Sequence, residues 1–300
     1  MARKKILMAC GVFWPEPIVS ACLMKDLAGA LAEDYDVTVV CPMPTRPMGF
    51  KVPEFSDEGS PFKIVRENSY TCPQSSLIGR FRESYSNGKA VVKYIEEHNG
   101  EFDFVYNDSW HLFGRGLITK VCKKYGIPYI TPVQDIYPES ITSKLPNIKP
   151  LKWLVDKILM PLDLYCLNNA KLIHTNSEKM KQDLMMSRNL ADEKFVVVRN
   201  WQNEADFIEY ANNKRVEKVV APFTFMYLGN VGPLAGVDTL FDALKLANLP
   251  NARLVVAGSG SAKTSLQAKA KEYSDCNIEF WEVPAGMVPG TQDNADVMCL

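Results

Sequence analysis

The sequence predicts an α/β fold made of two open, Rossmann-like domains, each built on a parallel sheet. Short apolar runs recur along the chain, separated by amphipathic stretches of helical length. The opening run at residues 5–10, the helical spacing at 18–32 and the run at 37–41 form a βαβ unit, which dictates parallel strands and a right-handed crossover. A second alternation of this kind starts at residue 223, after a polar stretch with no strand pattern. With 300 residues, 47% of them hydrophobic, the chain can bury about two domain-sized cores.

The first run follows Ala2-Arg3-Lys4-Lys5 and so imitates a short signal peptide, but it turns into Trp14-Pro15-Glu16-Pro17 with no small-residue cleavage site. It is expected to be a buried first strand. Further strands are expected at 62–65, 102–106, 129–133, 171–175 and 195–198, with helices at 77–98 and 112–125. A long helix at 151–168 should be interrupted near Pro161, because proline lacks an N–H and clashes with the preceding turn. The first domain is read as 1–201, the connection as 202–222 and the second domain as 223–300. Within the second domain the pattern gives strands at 223–228, 253–257, 278–281 and 296–300. Helices are expected at 236–247 and 262–273, with a short one near 287–293. About four strands is fewer than open α/β domains usually carry.

Lys and Arg number 34 against 35 Asp and Glu, a formal charge of −1, which argues against a protein that wraps nucleic acid. The eight cysteines are scattered without a Cys-x-x-Cys pair, so they read as reduced, mostly buried thiols of a cytoplasmic protein, with no metal site expected. No apolar stretch approaches the ~20 residues of a membrane span. Arg80, Arg82, Lys89 and Lys93 share a predicted helix with Leu77, Ile78, Phe81 and Tyr85. That helix is either a solvated face or a contact with an anionic membrane surface. Trp153, Leu154, Ile158, Leu159 and Leu162 form an apolar stripe expected to lie in the core.

Ligands of open α/β sheets gather at the carboxyl ends of the strands, so the loops there hold the candidate site. Gly229, Asn230, Gly232 and Gly236 fall in one such loop, and Gly258 and Gly260 in the next. Both fit a cradle for a diphosphate, and both also fit ordinary strand-to-helix turns. Neither matches G-x-G-x-x-G or a P-loop. In the first domain His111 and Asp135 lie near strand ends, with Glu139 just beyond. A carboxylate such as Asp135 can orient or deprotonate a hydroxyl or stabilise positive charge on a sugar, or it can simply cap the turn at 137–140. His111 either contacts a ligand or is packed, and Glu139 has a solvated turn as its alternative.

As a set, Phe225-Met226-Tyr227-Leu228-Gly229-Asn230, Gly236-Val237-Asp238-Thr239-Leu240, Leu254 through Gly260, Val283-Pro284 and Ala295-Asp296-Val297 resemble the C-terminal half of GT-B glycosyltransferases of family 4. The N-terminal half resembles it too, through Trp14-Pro15-Glu16-Pro17, Val37-Thr38-Val39-Val40, Asn176-Ser177-Glu178 and Arg199-Asn200-Trp201. Val133-Gln134-Asp135-Ile136-Tyr137-Pro138-Glu139-Ser140 looks closest to a bacterial O-antigen, capsule and colanic-acid subgroup that includes fucosamine-type transferases. The resemblance covers essentially the whole chain.

It implies a retaining, metal-independent and cofactor-free transfer of a hexosamine or deoxyhexosamine. The donor would be a UDP- or dTDP-sugar bound mainly by the second domain, with Val283 joining the glycine loops. The acceptor would be a polyprenyl-diphosphate-linked saccharide on the first domain, at the cytoplasmic face of the inner membrane. The sequence departs from the family pattern where Asn230 replaces a usual Arg, Ala235 a usual Lys and Gln134 a common His, and the paired glycines of the family's first N-domain loop are absent from Ile18-Val19-Ser20-Ala21. The pattern also stops before the family's Glu-x7-Glu donor segment, so the resemblance implies a shortened second domain and weak or absent activity in the 300-residue form. A sugar-nucleotide epimerase of the same fold and an inactive binding fragment are the alternatives. An NAD-dependent dehydrogenase lacks its glycine fingerprint here.

Overall fold

The computed structural model describes residues 2–46, 52, 54–73, 76–109, 112–143, 145–202, 204–213, 222–284 and 286–300. The chain divides into two units, Met1–Trp201 and Gln202–Leu300.

In the first unit β1 (Lys5–Cys10) is followed by α1 (Val19–Ala32), β2 (Asp36–Pro42), β3 (Lys63–Glu67), α2 (Leu77–Glu97), β4 (Phe104–Asp108) and α3 (Leu112–Tyr125). Then come β5 (Tyr129–Val133), α4 (Glu139–Thr142), α5 (Lys149–Asn169), β6 (Leu172–Thr175), α6 (Glu178–Arg188) and β7 (Phe195–Val197). The seven strands are ordered β3-β2-β1-β4-β5-β6-β7. Every pairing is parallel, with Ile6 opposite Val37 on one side and Phe104 on the other. β1 alternates between two cores. Leu7 and Ala9 pack with Val105, Ile118, Leu167 and Ile173, while Ile6, Met8 and Cys10 pack with Leu23, Met24, Val37 and Val39. A strand buried on both faces must be apolar throughout, which is why residues 5–10 read as a continuous run.

Two helices were not anticipated. α4 has four residues, and α6 is polar on most positions; its start is marked by Ser177, whose Oγ accepts from the Met180 N–H at 3.2 Å. α6 ends at Asn189, which takes a left-handed φ of 51°.

α5 corrects two expectations. It runs unbroken through Pro161, which lies on its exposed side, where water can serve the carbonyl that proline leaves without a donor. Burial of Leu159, Asp163, Cys166 and Leu167 on the inner side holds the helix on both sides of the proline. The apolar stripe is also split. Leu159 and Leu162 pack in a satellite cluster with Leu112, Ile141, Phe81 and Val155, while Trp153, Leu154 and Ile158 face outward. At 100° per residue, Trp153 and Leu154 stand about 100–150° from the mean direction of 155, 159 and 162, whereas Ile158, about 40° from Leu162, lies at the border between the two sides.

The second unit opens with α7 (Ala205–Asn213), inside the stretch read as a connection, and α7 packs on α10 (Val288–Gln292). Residues 203 and 214–221 of that stretch lie outside the described residues. β8 (Phe223–Leu228), α8 (Asp238–Ala247), β9 (Ala252–Ala257), α9 (Lys263–Ala270), β10 (Ile278–Trp281) and β11 (Val297–Cys299) complete it. Its four strands are parallel in the order β10-β9-β8-β11. Phe225, Tyr227, Leu254 and Val256 pack toward Phe241 and Leu266, and Met226, Val255 and Ala257 toward the opposite face. Among the described residues no helix is long and apolar enough to cross a membrane.

Candidate functional site

In the first sheet the strand order reverses between β1 and β4, so the loops leaving these two strands part and open a crevice at their carboxyl ends. Cys10 pairs with Asp108 there, and the Gly11 N–H donates to the Asp108 carbonyl at 3.2 Å. Glu16, almost fully buried, fastens this edge. Its carboxylate accepts from the backbone N–H groups of Phe13 at 3.3 Å, Thr45 at 2.6 Å and Arg46 at 2.7 Å, which locks the loop after β1 to the loop after β2. Burial pushes the Glu16 carboxyl up, against the pull of those three donors. Arg46 in turn donates to Glu83, which also holds Arg80 at 3.0 Å. These contacts enclose a small cavity of about 20 Å³ among Gly11, Val12, Pro42, Thr45, Arg46, Glu83 and Asn87. Its volume is that of about one water molecule, so any larger ligand lies outside it, over the crevice.

Asp108 lies at the end of β4, beyond where that strand was expected to stop. Burial pushes its carboxyl up to about 7, and the opposing charge is Arg115 on α3. Arg115 is itself buried; its Nη2 donates to the Pro132 carbonyl at 3.2 Å, while Nε and Nη1 have no partner among the described residues. His111, the histidine predicted for this loop, lies outside the described residues together with Trp110.

Asp135 stands exposed just past β5. Glu139, at the start of α4, is held elsewhere: the Arg188 guanidinium donates to both its carboxylate oxygens at 2.7 Å. Burial raises the Glu139 carboxyl, but those hydrogen bonds outweigh it and leave it below its ordinary value. Arg188 also reaches Asp163 at 2.9 Å and the Tyr137 carbonyl at 2.5 Å, so the turn carrying Asp135 is anchored through α6.

In the second unit the loops after β8 and β9 lie against each other. Gly229 N–H donates to Ala257 O at 3.0 Å, Val231 N–H to Ser259 O at 2.9 Å, and Ala262 N–H to Val231 O at 3.0 Å. Gly258 takes φ +124°, and a Cβ on it would come within 2.1 Å of the Gly229 oxygen; one on Gly260 would come within 2.2 Å of the Val231 oxygen. These two glycines are needed for loop-to-loop approach. The structure thus brings Gly229, Asn230, Gly232, Gly258 and Gly260 together. The N–H groups of Gly229, Gly232 and Gly258 are committed to internal bonds. Gly236 ends a short 3-10 turn ahead of α8 at φ +61°, and Val283 packs in the apolar cluster of Met226, Val255 and Ala257.

Lys263, at the start of α9, was not singled out by the sequence. Its Nζ donates to Gly258 O at 2.7 Å, Trp281 O at 3.2 Å and Glu282 at 2.6 Å, which sets a cation over the carboxyl ends of β9 and β10. Among the described residues no three His, Cys, Asp or Glu side chains are grouped as metal ligands.

The sequence profile of Glycosyltransferase Family 4 matches residues 23–204. Comparison with the curated proteins returns no match. Among solved structures the chain is similar to HepE of Anabaena in complex with UDP and glucose, at TM-score 0.62 and 13% identity over 98% of this chain and 73% of that one. It is similar to the sucrose-phosphate synthase of Thermosynechococcus elongatus at TM-score 0.66 and 12% identity, over 99% and 75%. WaaG, a glycosyltransferase involved in lipopolysaccharide biosynthesis, gives TM-score 0.60 and 14% identity over 98% and 74%. These neighbours are GT-B glycosyltransferases, and the two parallel sheets have that fold. With the profile spanning more than half its length, the chain belongs to Glycosyltransferase Family 4.

Proposed function

We propose that this glycosyltransferase moves a hexosamine or deoxyhexosamine from a UDP- or dTDP-sugar to a hydroxyl of a polyprenyl-diphosphate-linked saccharide. Transfer proceeds with retention and without a metal ion, at the cytoplasmic face of the membrane, in the synthesis of a bacterial surface polysaccharide of O-antigen, capsule or colanic-acid type. The observation that carries the reading is the family match over residues 23–204, joined to the paired glycine loops at the carboxyl end of the second sheet. Support for a nucleotide-sugar donor comes from HepE, which has been solved with UDP-glucose.

The donor diphosphate lies over the loops holding Gly229, Asn230, Gly232, Gly258 and Gly260, with Gly236 and Val283 at its margins. Several N–H groups of these loops are already used, and Lys263, on releasing the exposed Glu282 carboxylate, supplies the positive charge that Asn230 and Ala235 do not. The acceptor lies on the first unit, over the crevice at the carboxyl ends of β1 and β4. Asp135 and His111 orient its reacting hydroxyl, and Glu139 fixes the turn that carries Asp135 through its Arg188 pair.

The test is turnover of a panel of nucleotide-sugars with a short-chain polyprenyl-diphosphate saccharide. Transfer that survives EDTA, to a product with the donor's anomeric configuration, is the expected result. Failure of every donor to bind or turn over overturns the reading.

A further inference from the structure

The outward side of α5 carries a feature that neither sheet explains. Ile158 is 62% exposed, Trp153 60% and Leu154 48%, and Leu151 joins them along the outward side of one helix, with Ile148, 53% exposed, at its N-cap. Soluble surfaces scatter such residues singly; here five fall within eleven positions. Lys149 and Lys157 are exposed beside them, and the Lys157 ammonium sits 4.7 Å from the centre of the Trp153 ring. The acid in this half of the helix, Asp156, is half-buried.

α2 carries exposed apolar groups of its own. The satellite cluster under α5, built on Leu112, Ile141 and Leu159, also takes Phe81 from the first half of α2. One turn before Phe81 stands Ile78, 82% exposed, and one turn after it Tyr85 is half-exposed with Lys89 over its ring at 5.9 Å. Of the other basic groups on α2, Arg80 is tied to Glu83, Arg82 lies over the Tyr70 ring and Lys93 pairs with Glu97.

We propose that the exposed side of α5 docks this protein on an anionic lipid bilayer, with Trp153, Leu154 and Ile158 in the headgroup-acyl boundary and Lys149 and Lys157 against lipid phosphates. The chemistry commits to that partner. An indole flanked by ammonium groups beside bulky aliphatic side chains suits an interface that is apolar on one side and negatively charged on the other. The proposal rests on the reading of a membrane-borne acceptor, but binding to lipid is measured without donor or acceptor.

The full chain is sedimented with vesicles of phosphatidylcholine alone or with three parts in ten phosphatidylglycerol. Binding is expected only to the anionic vesicles, with a blue shift of tryptophan emission that Trp153→Phe removes. Trp153→Ser with Ile158→Ser should abolish binding. Lys149→Gln with Lys157→Gln should weaken it about 25-fold, at about fivefold per lysine. All variants sit on exposed positions and should keep the wild-type melting temperature and turnover of a water-soluble acceptor analogue. Absence of wild-type binding overturns the proposal, as does self-association through this face without lipid binding. Undiminished binding by both double variants overturns the surface while leaving the transferase reading intact. Loss of turnover with all donors, with lipid binding retained, defeats that reading and not the surface.

Discussion

Arg188 grips Glu139 through two parallel hydrogen bonds of 2.7 Å, tying the last turn of α6 to the first residue of α4. The same guanidinium holds Asp163, whose side chain is 3% exposed. Replacing Arg188 with Met strands that carboxylate in the core and should cost about 3–5 kcal/mol. Glu139→Gln acts on the half-exposed arm and should cost about 1 kcal/mol or less. Urea unfolding of the two variants distinguishes them; equal losses would mean that Asp163 has another source of support.

Asp108 makes the stability of the first unit depend on pH. Its folded value is about 7, pushed up by burial, against about 4 in an unfolded chain. Between these values the folded state holds a proton that the unfolded chain has released, so stability falls as pH rises from about 4 to about 7. Asp108→Asn should flatten this slope and make the variant more stable than wild type at pH 8, by an amount on the order of a few kcal/mol. Unfolding midpoints measured across that range check it.

Gly258→Ala should cost about 3 kcal/mol or more, since it combines a strained φ with a clash against the main chain of the neighbouring loop. Gly29→Ala on α1 meets nothing within 4 Å and should instead stabilise by about 1 kcal/mol. Thermal melting of the pair gives opposite signs if the packing of the two sites is as described.

Lys263→Ala should raise the donor KM about tenfold or more with a smaller effect on acceptor KM, because one charge-assisted contact to phosphate contributes about 1.5–3 kcal/mol. Asp135→Asn should lower kcat about 100-fold with little change in donor KM. A kinetic split in the reverse sense would reassign both residues.

Glu16→Gln should cost about 1–3 kcal/mol, because an amide cannot accept from Phe13 and from the Thr45 and Arg46 donors with both its ends. Acceptor KM should rise with it, since the crevice edge at Arg46 loses its anchor. Unchanged acceptor KM would detach that edge from the acceptor.

The alternation of apolar runs made the sheets legible, because strands buried on both faces leave long hydrophobic signatures, as at residues 5–10. α6 escaped because its inner side needs only Leu184 and Arg188 to be buried. The outward side of α5 was misread for a related reason. Trp153 and Ile158 have the composition of core residues, and only the position of the helix on the sheet says which side is covered. The glycines at 229–236 and 258–260 marked the loops correctly as a group. That Gly258 and Gly260 serve loop-to-loop approach depends on a neighbouring strand's register, which local sequence does not carry. Asp108, Arg115, Glu16 and Lys263 gave no periodic signal, since each acts through a contact distant along the chain or through backbone atoms.

The second unit's glycine loops are joined through main-chain atoms, so their shape is indifferent to most of the side chains they display. Only positions 258 and 260 are sterically closed. Asn230, Ala235, Ser259 and Ser261 are exposed and can therefore be exchanged with little effect on folding, which lets the proposed donor site be varied there without disturbing the sheet beneath it.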